Sequence, residues 1–388
     1  VPLIFVLRAL FSLLSLFLIG LAAYLLWTWY FGIEAVRPDG LVEIVHEPTR
    51  LWWGLGLALW SIGGGGIVFR LLLGGKGRPF NSQRGEGQMI EGAQGAKLWV
   101  ELAGNPNGQT LLLTHGWGLD SSLWQYAKED LGGEFRLVLW DLPGLGRSKG
   151  CDGKLTLESL ALNLDVVRQW AGGTAPVLVG HSIGGMDIQT LARDNRAAFR
   201  DVAGVVLVNT THTNPLRTMI LPRLMQALRY PVLEPAMYLT KWLLPLSWLS
   251  AWQSYLSGTA HLANRLGFGK HVSKQQLEWA ALVTTRNSPA VQASGNLAMF
   301  EWDATNGLAS FPVPVLAIAG DMDIVTKAEA SRTIEGLAPV ATLEVVNDVN
   351  HMGLLEAPER YNALIARFSA SRRTTPVAAS ATTFVTQR

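Results

Sequence analysis

Apolar residues run almost unbroken from position 3 to 31, interrupted by Arg8 and a few small polar side chains. Residues 9–31 alone exceed the roughly 20 needed to cross a bilayer. The run ends in Trp27, Trp29, Tyr30 and Phe31, which resembles an interfacial belt more than the small-residue cleavage site of a signal peptide. A second run, 51–69, opens with Trp52 and Trp53 and contains four consecutive glycines at 63–66. Glycine weakens an isolated helix but permits close packing in a membrane. Two transmembrane helices, about 3–31 and 51–69, are therefore expected, paired as a hairpin, with a buried or re-entrant segment as the alternative for the second run. Glu34, Asp39, Glu43 and Glu47 outweigh Arg37 and Arg50 between them, whereas Arg70, Lys76, Arg78 and Arg84 follow the second run. Basic flanks mark the cytoplasmic side, so a multi-pass cell-membrane protein with a cytoplasmic C-terminal domain is expected. Residues 1–75 form the anchor, and 76–86 read as a linker that mixes glycine, proline and charge without an apolar period.

From residue 87 the pattern changes. Short leucine-rich and β-branched runs alternate with helical spacing, the signature of an α/β domain with a mostly parallel sheet. Eight strands are expected, at 88–90, 97–102, 110–114, 136–140, 177–179, 204–208, 315–319 and 342–346. Residues 156–171 put Leu157, Leu160, Leu164, Val167 and Trp170 on one helical face. Between about 210 and 309 the alternation yields to a Trp- and Leu-rich insert, cut into short helices by Pro215, Pro222, Pro231, Pro235 and Pro245. This insert is expected to cap the sheet within a domain spanning 87–370. The tail 371–388, rich in Ser, Thr, Ala and Arg, is expected to be disordered.

Composition narrows the function classes. Charged residues make up only 16% of the 388 residues and the net charge is +2. No basic stripe interleaves with aromatics, which excludes nucleic acid as a partner. Cys151 is the only cysteine, so no intrachain disulfide forms. Neither an H-E-x-x-H stretch nor paired cysteines occur, and no metal or cofactor is expected.

The candidate chemistry starts at Gly180-His181-Ser182-Ile183-Gly184, directly after an apolar strand. A serine flanked by glycines two residues away on either side fits a tight strand-to-helix turn, with the Ile183 N–H at the helix start facing any oxyanion formed there. A serine hydroxyl also needs a histidine to take its proton and a carboxylate to orient that histidine. Gly320-Asp321-Met322-Asp323 follows the seventh strand and Asn350-His351 the eighth. The order is serine, acid, histidine. His115-Gly116-Trp117-Gly118 follows the third strand, and Asp141-Leu142-Pro143-Gly144-Leu145-Gly146-Arg147-Ser148 the fourth.

Over about residues 87–368 these motifs resemble the α/β-hydrolase superfamily, in its serine-nucleophile branch. The resemblance implies Ser182 as nucleophile, His351 as base and Asp323 as acid, with Asp321 as the alternative carboxylate. It implies an oxyanion hole from the N–H groups of Trp117 and Ile183. His115 and His181 read as structural, while His46, His212, His261 and His271 lie outside the motifs. The implied activity is a membrane-anchored serine hydrolase of the esterase or lipase kind, acting on a small-molecule or lipid ester. Acyl transfer, C–C hydrolysis and perhydrolysis run on the same triad and remain open, as does a non-catalytic binding module. A lipophilic ester is favoured by Trp242, Leu243, Leu244, Leu246, Trp248, Leu249, Trp252 and Tyr255 in the insert, although the same residues would serve equally as the cap's own core. Every triad position lies beyond residue 87, and the anchor is expected to hold the domain at the inner membrane face, where a lipophilic ester passes from the bilayer through the cap to Ser182.

Overall fold

A computed structural model describes residues 2–75, 77–173 and 175–372 of the chain. The readings made for Lys76 and for the tail from 373 onward lie outside the described residues.

Among the described residues, two helices are long and apolar enough to cross a membrane, Leu10–Phe31 and Pro48–Leu73. The first belongs to α1 (Pro2–Phe31), and the second is α2 (Pro48–Leu59) and α3 (Gly65–Leu73) joined by a π-helical turn at Trp60–Gly64. Their far ends are joined by an antiparallel hairpin, β1 (Ile33–Val36) and β2 (Val42–Val45). The four glycines lie at and just beyond the π turn, and the cap backbone closely approaches the last two, Gly65 and Gly66. A Cβ on Gly65 would lie 2.1 Å from the Ser257 carbonyl oxygen, and one on Gly258 would lie 2.4 Å from the Gly65 oxygen. Residues 77–86 carry no regular structure but are pinned to the following domain. Arg78 pairs with Glu129 and Asp130, and Phe80 is buried against Tyr126 and Trp279.

The domain beyond is an eight-stranded sheet. Its strands are β3 (Gly87–Glu91), β4 (Lys97–Gly104), β5 (Thr110–Thr114), β6 (Arg136–Trp140), β7 (Val177–His181), β8 (Gly204–Val208), β9 (Val315–Gly320) and β10 (Ala341–Val346). In space they run β10-β9-β8-β7-β5-β6-β4-β3, antiparallel only where β4 meets β3 and β6. Every residue of β5, β7, β8 and β9 is buried, as expected where helices cover both faces of a parallel sheet. Helix Leu157–Ala171 starts at a Thr156–Ser159 capping box and turns Leu160, Leu164 and Val167 into the core.

The helices between β8 and β9 form the cap. Pro215, Pro222, Pro235 and Pro245 each stand in the first turn of a helix, where the missing N–H breaks no helical bond. The cap's buried cluster is Leu216, Met219, Met225, Leu233, Met237 and Phe300 with Ala293. The aromatic run 242–255 contributes nothing to that cluster, and Trp242 is 80% exposed. Helix Leu244–Leu256 instead packs along α1, where the buried Ser15 hydroxyl donates to Gln253 O at 3.1 Å and lies 2.6 Å from Ser257 Oγ.

Candidate active site

Ser182 sits between β7 and helix Ile183–Asp194 with φ 54° and ψ −116°, a conformation that L-residues avoid. Sterics hold it there. A Cβ on Gly180 would fall 2.4 Å from the Gly184 carbonyl carbon, and one on Gly184 would fall 2.6 Å from Thr114 O. The Ser182 N–H donates to Val208 O at 2.9 Å and the Thr210 hydroxyl donates to Ser182 O at 2.6 Å, so both sides of the turn are tied to the end of β8.

Three of the candidate residues converge. His351 Nε2 lies 3.0 Å from Ser182 Oγ, and His351 Nδ1 lies 2.9 Å from Asp323 Oδ2. Asp323 Oδ1 accepts the backbone N–H groups of Val325 and Thr326, and its Oδ2 accepts from Asn209 Nδ2 and Thr326 Oγ1. Burial alone would raise the Asp323 pKa, but the facing His351 and these hydrogen bonds outweigh it and hold the carboxyl below the usual range. An ionised carboxylate only accepts, so the His351 proton resides on Nδ1 and leaves the Nε2 lone pair toward the Ser182 hydroxyl. Asp321 is not brought to the site. Its side chain is exposed, and its backbone N–H bonds Val346 O.

The oxyanion candidates flank the serine. Ile183 is the first residue of its helix, so its N–H has no helical acceptor. Trp117 lies in the 116–118 turn, which lines the same cavity as Ser182, and its indole N–H donates to Gln292 O in the cap at 3.0 Å. His115 fixes this turn. Its Nε2 accepts the Leu142 N–H at 3.0 Å, so its Nδ1 carries the proton and donates to Gly116 O at 2.8 Å. Burial lowers its pKa and keeps it neutral. Arg84 braces the same region from the 77–86 segment, between Asp120 at 2.6 Å and Asp141 at 3.0 Å. His181 donates from Nε2 to His351 O at 3.0 Å, and burial together with the neighbouring His351 pulls its pKa down to about 3. Both histidines are structural in this arrangement.

Two contributors escape sequence reasoning. Asn209 presents its amide N–H to Asp323 and accepts the Tyr361 hydroxyl at 2.9 Å through Oδ1. Its position at the C-terminal end of a parallel strand, where sites of this architecture collect, is the only cue the sequence carries. The second contributor is α1. The cavity beside Ser182, about 360 Å³, is walled by Met352 next to His351, by Leu243, Ala251 and Phe268 of the cap insert, and by Ser12 and Leu16 of α1. Leu13, Leu239 and Leu246 line it and are also 63%, 51% and 49% exposed, so they mark its mouth. Helix α1 is therefore part of the pocket wall.

Comparison with known proteins identifies the family and the fold. The sequence profile of the Alpha/beta hydrolase family matches residues 111–364. A pimeloyl-[acyl-carrier protein] methyl ester esterase of Sodalis glossinidius is 28% identical over 262 residues, covering 67% of this chain and 93% of that protein. An esterase structure from Exiguobacterium antarcticum superposes with a TM-score of 0.60 at 20% identity, over 74% of this chain and all of that one. A bacterial membrane phospholipase A structure superposes with a TM-score of 0.58 at 16% identity, over 84% of this chain and 96% of that one. The chain belongs to the alpha/beta hydrolase family and is a hydrolase of the esterase type.

Proposed function

We propose that this protein is a membrane-anchored serine esterase that cleaves a lipophilic carboxylic ester through an acyl-serine intermediate. The observation that carries the reading is the continuous contact Asp323–His351–Ser182, at 2.9 and 3.0 Å, opening onto a cavity with apolar walls. His351 Nε2 takes the hydroxyl proton as Ser182 Oγ attacks the ester carbonyl, and the N–H groups of Trp117 and Ile183 receive the oxyanion. His351 then returns the proton to the departing alcohol. A water molecule repeats the sequence on the acyl-serine, releasing the acid and restoring Ser182.

Ser182→Ala or His351→Ala is expected to lower kcat about 10⁴- to 10⁶-fold, as for triads acting as a unit. Near-normal ester turnover by folded Ser182→Ala protein would refute the assignment.

The membrane part rests on three features. The two apolar helices have sufficient length. The linking hairpin is acidic, whereas Arg70 stands in the last turn of the second helix and Arg78 and Arg84 follow it, which favours a cytoplasmic catalytic domain. Leu13 at the cavity mouth lies about 27 Å along α1 from Phe31, near the far boundary of a hydrocarbon layer about 30 Å thick. Exposed Trp242, Leu249 and Tyr238 extend the apolar surface beside that mouth. The relative from Sodalis acts on a methyl ester whose acyl group is attached to a carrier protein, which supports a carboxylic ester here. The membrane-side mouth favours an ester dissolved in the bilayer over a carrier-bound one. Reporters fused to the C-terminus are expected in the cytoplasm, with a tag at Asp39 reached from outside. Protease cleavage of the catalytic domain in intact cells would reverse the topology.

A further inference from the structure

The wall contributed by α1 has a consequence for selectivity. Two independent observations fix it in place. Ser15, fully buried three residues beyond Ser12, bonds the end of cap helix Leu244–Leu256. Gly65 of the second span meets Ser257 and Gly258 without room for a Cβ. The small-residue contacts keep both spans against the cap, and α1 turns Ser12, Leu13 and Leu16 into the cavity that reaches Ser182. Leu14 and Phe17 face away from it and are exposed along the lipid-facing side of α1.

We propose that Ser12, Leu13 and Leu16 of the first membrane helix form the distal end of the substrate-chain pocket, so that the anchor measures the hydrocarbon chain of the ester whose carbonyl is held at Ser182. The proposal rests on the esterase reading above and deepens it. A linear chain passing from the serine between Leu243 and Ala251 of the cap comes to α1 at Leu16 and leaves toward lipid past Leu13. Chains that stop short of α1 gain nothing from it, whereas chains that reach it exchange water or lipid contact for the helix face. A bulky residue at position 16 shortens the pocket. Enlarging Leu14, on the other face, leaves it as it was.

The test uses the full chain in lipid nanodiscs. kcat/KM is measured for linear acyl esters from four to sixteen carbons, in the parent, Leu16→Trp, Ser12→Phe and Leu14→Trp. Leu16→Trp and Ser12→Phe are expected to lower the long-to-short ratio of kcat/KM at least 10-fold, with Leu14→Trp matching the parent. A second measurement does not depend on a variant's folding. A long-chain alkyl fluorophosphonate with a diazirine at its chain end is allowed to phosphonylate Ser182. Oxygen–phosphorus bond formation expels fluoride, and His351 takes the hydroxyl proton. Irradiation is then expected to join the chain end to the 10–17 segment. A parent protein that takes no fluorophosphonate at Ser182 loses the esterase reading, and the proposal with it. A protein labelled at Ser182 whose chain end joins only cap residues, or whose Leu16→Trp profile runs parallel to the parent, keeps the esterase reading and loses the role of α1.

Discussion

The Tyr361 hydroxyl donates to Asn209 Oδ1 at 2.9 Å, and this bond decides which end of the Asn209 amide faces Asp323. With Oδ1 occupied, Nδ2 points to the Asp323 carboxylate at 2.9 Å. Removing that donor uncovers one side of a buried anion. Asn209→Ala is expected to lower kcat about 10- to 100-fold, matching the 1.5–3 kcal/mol of a hydrogen bond to a charged group. Tyr361→Phe leaves the amide free to turn and is expected to cost less. Steady-state rates at saturating ester check both, and an unchanged kcat in Asn209→Ala would remove the residue from the arrangement.

Asp323→Asn is expected to reduce turnover far more than Asp321→Asn, because only Asp323 touches His351. The amide would also present a donor to Nδ1 or force the histidine into the other tautomer, which points a proton at the serine. Equal losses in the two variants would reassign the acid.

His181 links stability to pH. Its folded pKa of about 3 lies below the roughly 6.5 of an unfolded histidine. A depressed histidine contributes stability that is complete above the unfolded value and lost as pH falls toward the folded one. The unfolded chain binds the extra proton in that window, so stability is expected to drop by up to about 1.4 kcal/mol per pH unit between about 6.5 and 3. His115, also depressed by burial, acts in the same direction. Denaturant midpoints measured across this range should fall less steeply in His181→Gln, which keeps a donor for His351 O. Parallel curves for parent and variant would show that His181 does not carry the effect.

Gly65 and Gly258 are expected to tolerate no side chain. Gly258→Ala places a Cβ against Gly65 at a residue with φ +82°, and Gly65→Leu drives a chain into Ser257. Overpacking of this kind costs about 1–3 kcal/mol. Thermal unfolding in detergent should begin earlier in both variants, with activity on long-chain esters falling before activity on short ones. Gly56, with open space around it, is the control position.

How much of this was legible follows from which forces act locally. Each of the eight sheet strands is present where its apolar run predicts it, and β7 continues through His181 to the serine. The turn at Ser182 was legible because the steric demand on Gly180 and Gly184 is written within five residues. The hairpin β1–β2 was not, since its strands are four residues long and each carries a glutamate, so that with the charged turn between them they read as a polar loop. The 76–86 stretch reads as a linker by composition, yet its arginines find Asp130, Asp120 and Asp141 on the folded domain. The aromatic run 242–255 left core and pocket open as readings. Its inner face lines the cavity and packs on α1, and its outer face is exposed. Nothing in an all-apolar helix tells which side meets protein. In α1 only Ser12 and Ser15, three residues apart on one face, mark it.

The cavity mouth bounded by Leu13 of α1 also changes what concentration means for this enzyme. A substrate that reaches the mouth sideways from a leaflet is supplied by its mole fraction in that two-dimensional phase, not by its molarity in the bulk. On the proposed bilayer route, single-chain amphiphiles would share that phase, and an extracting detergent is expected to compete with substrate as well as to solubilise the protein. On that route the turnover rate is expected to fall as detergent dilutes the ester within each micelle at constant total ester, and to stay level when micelles of fixed composition are simply diluted with buffer.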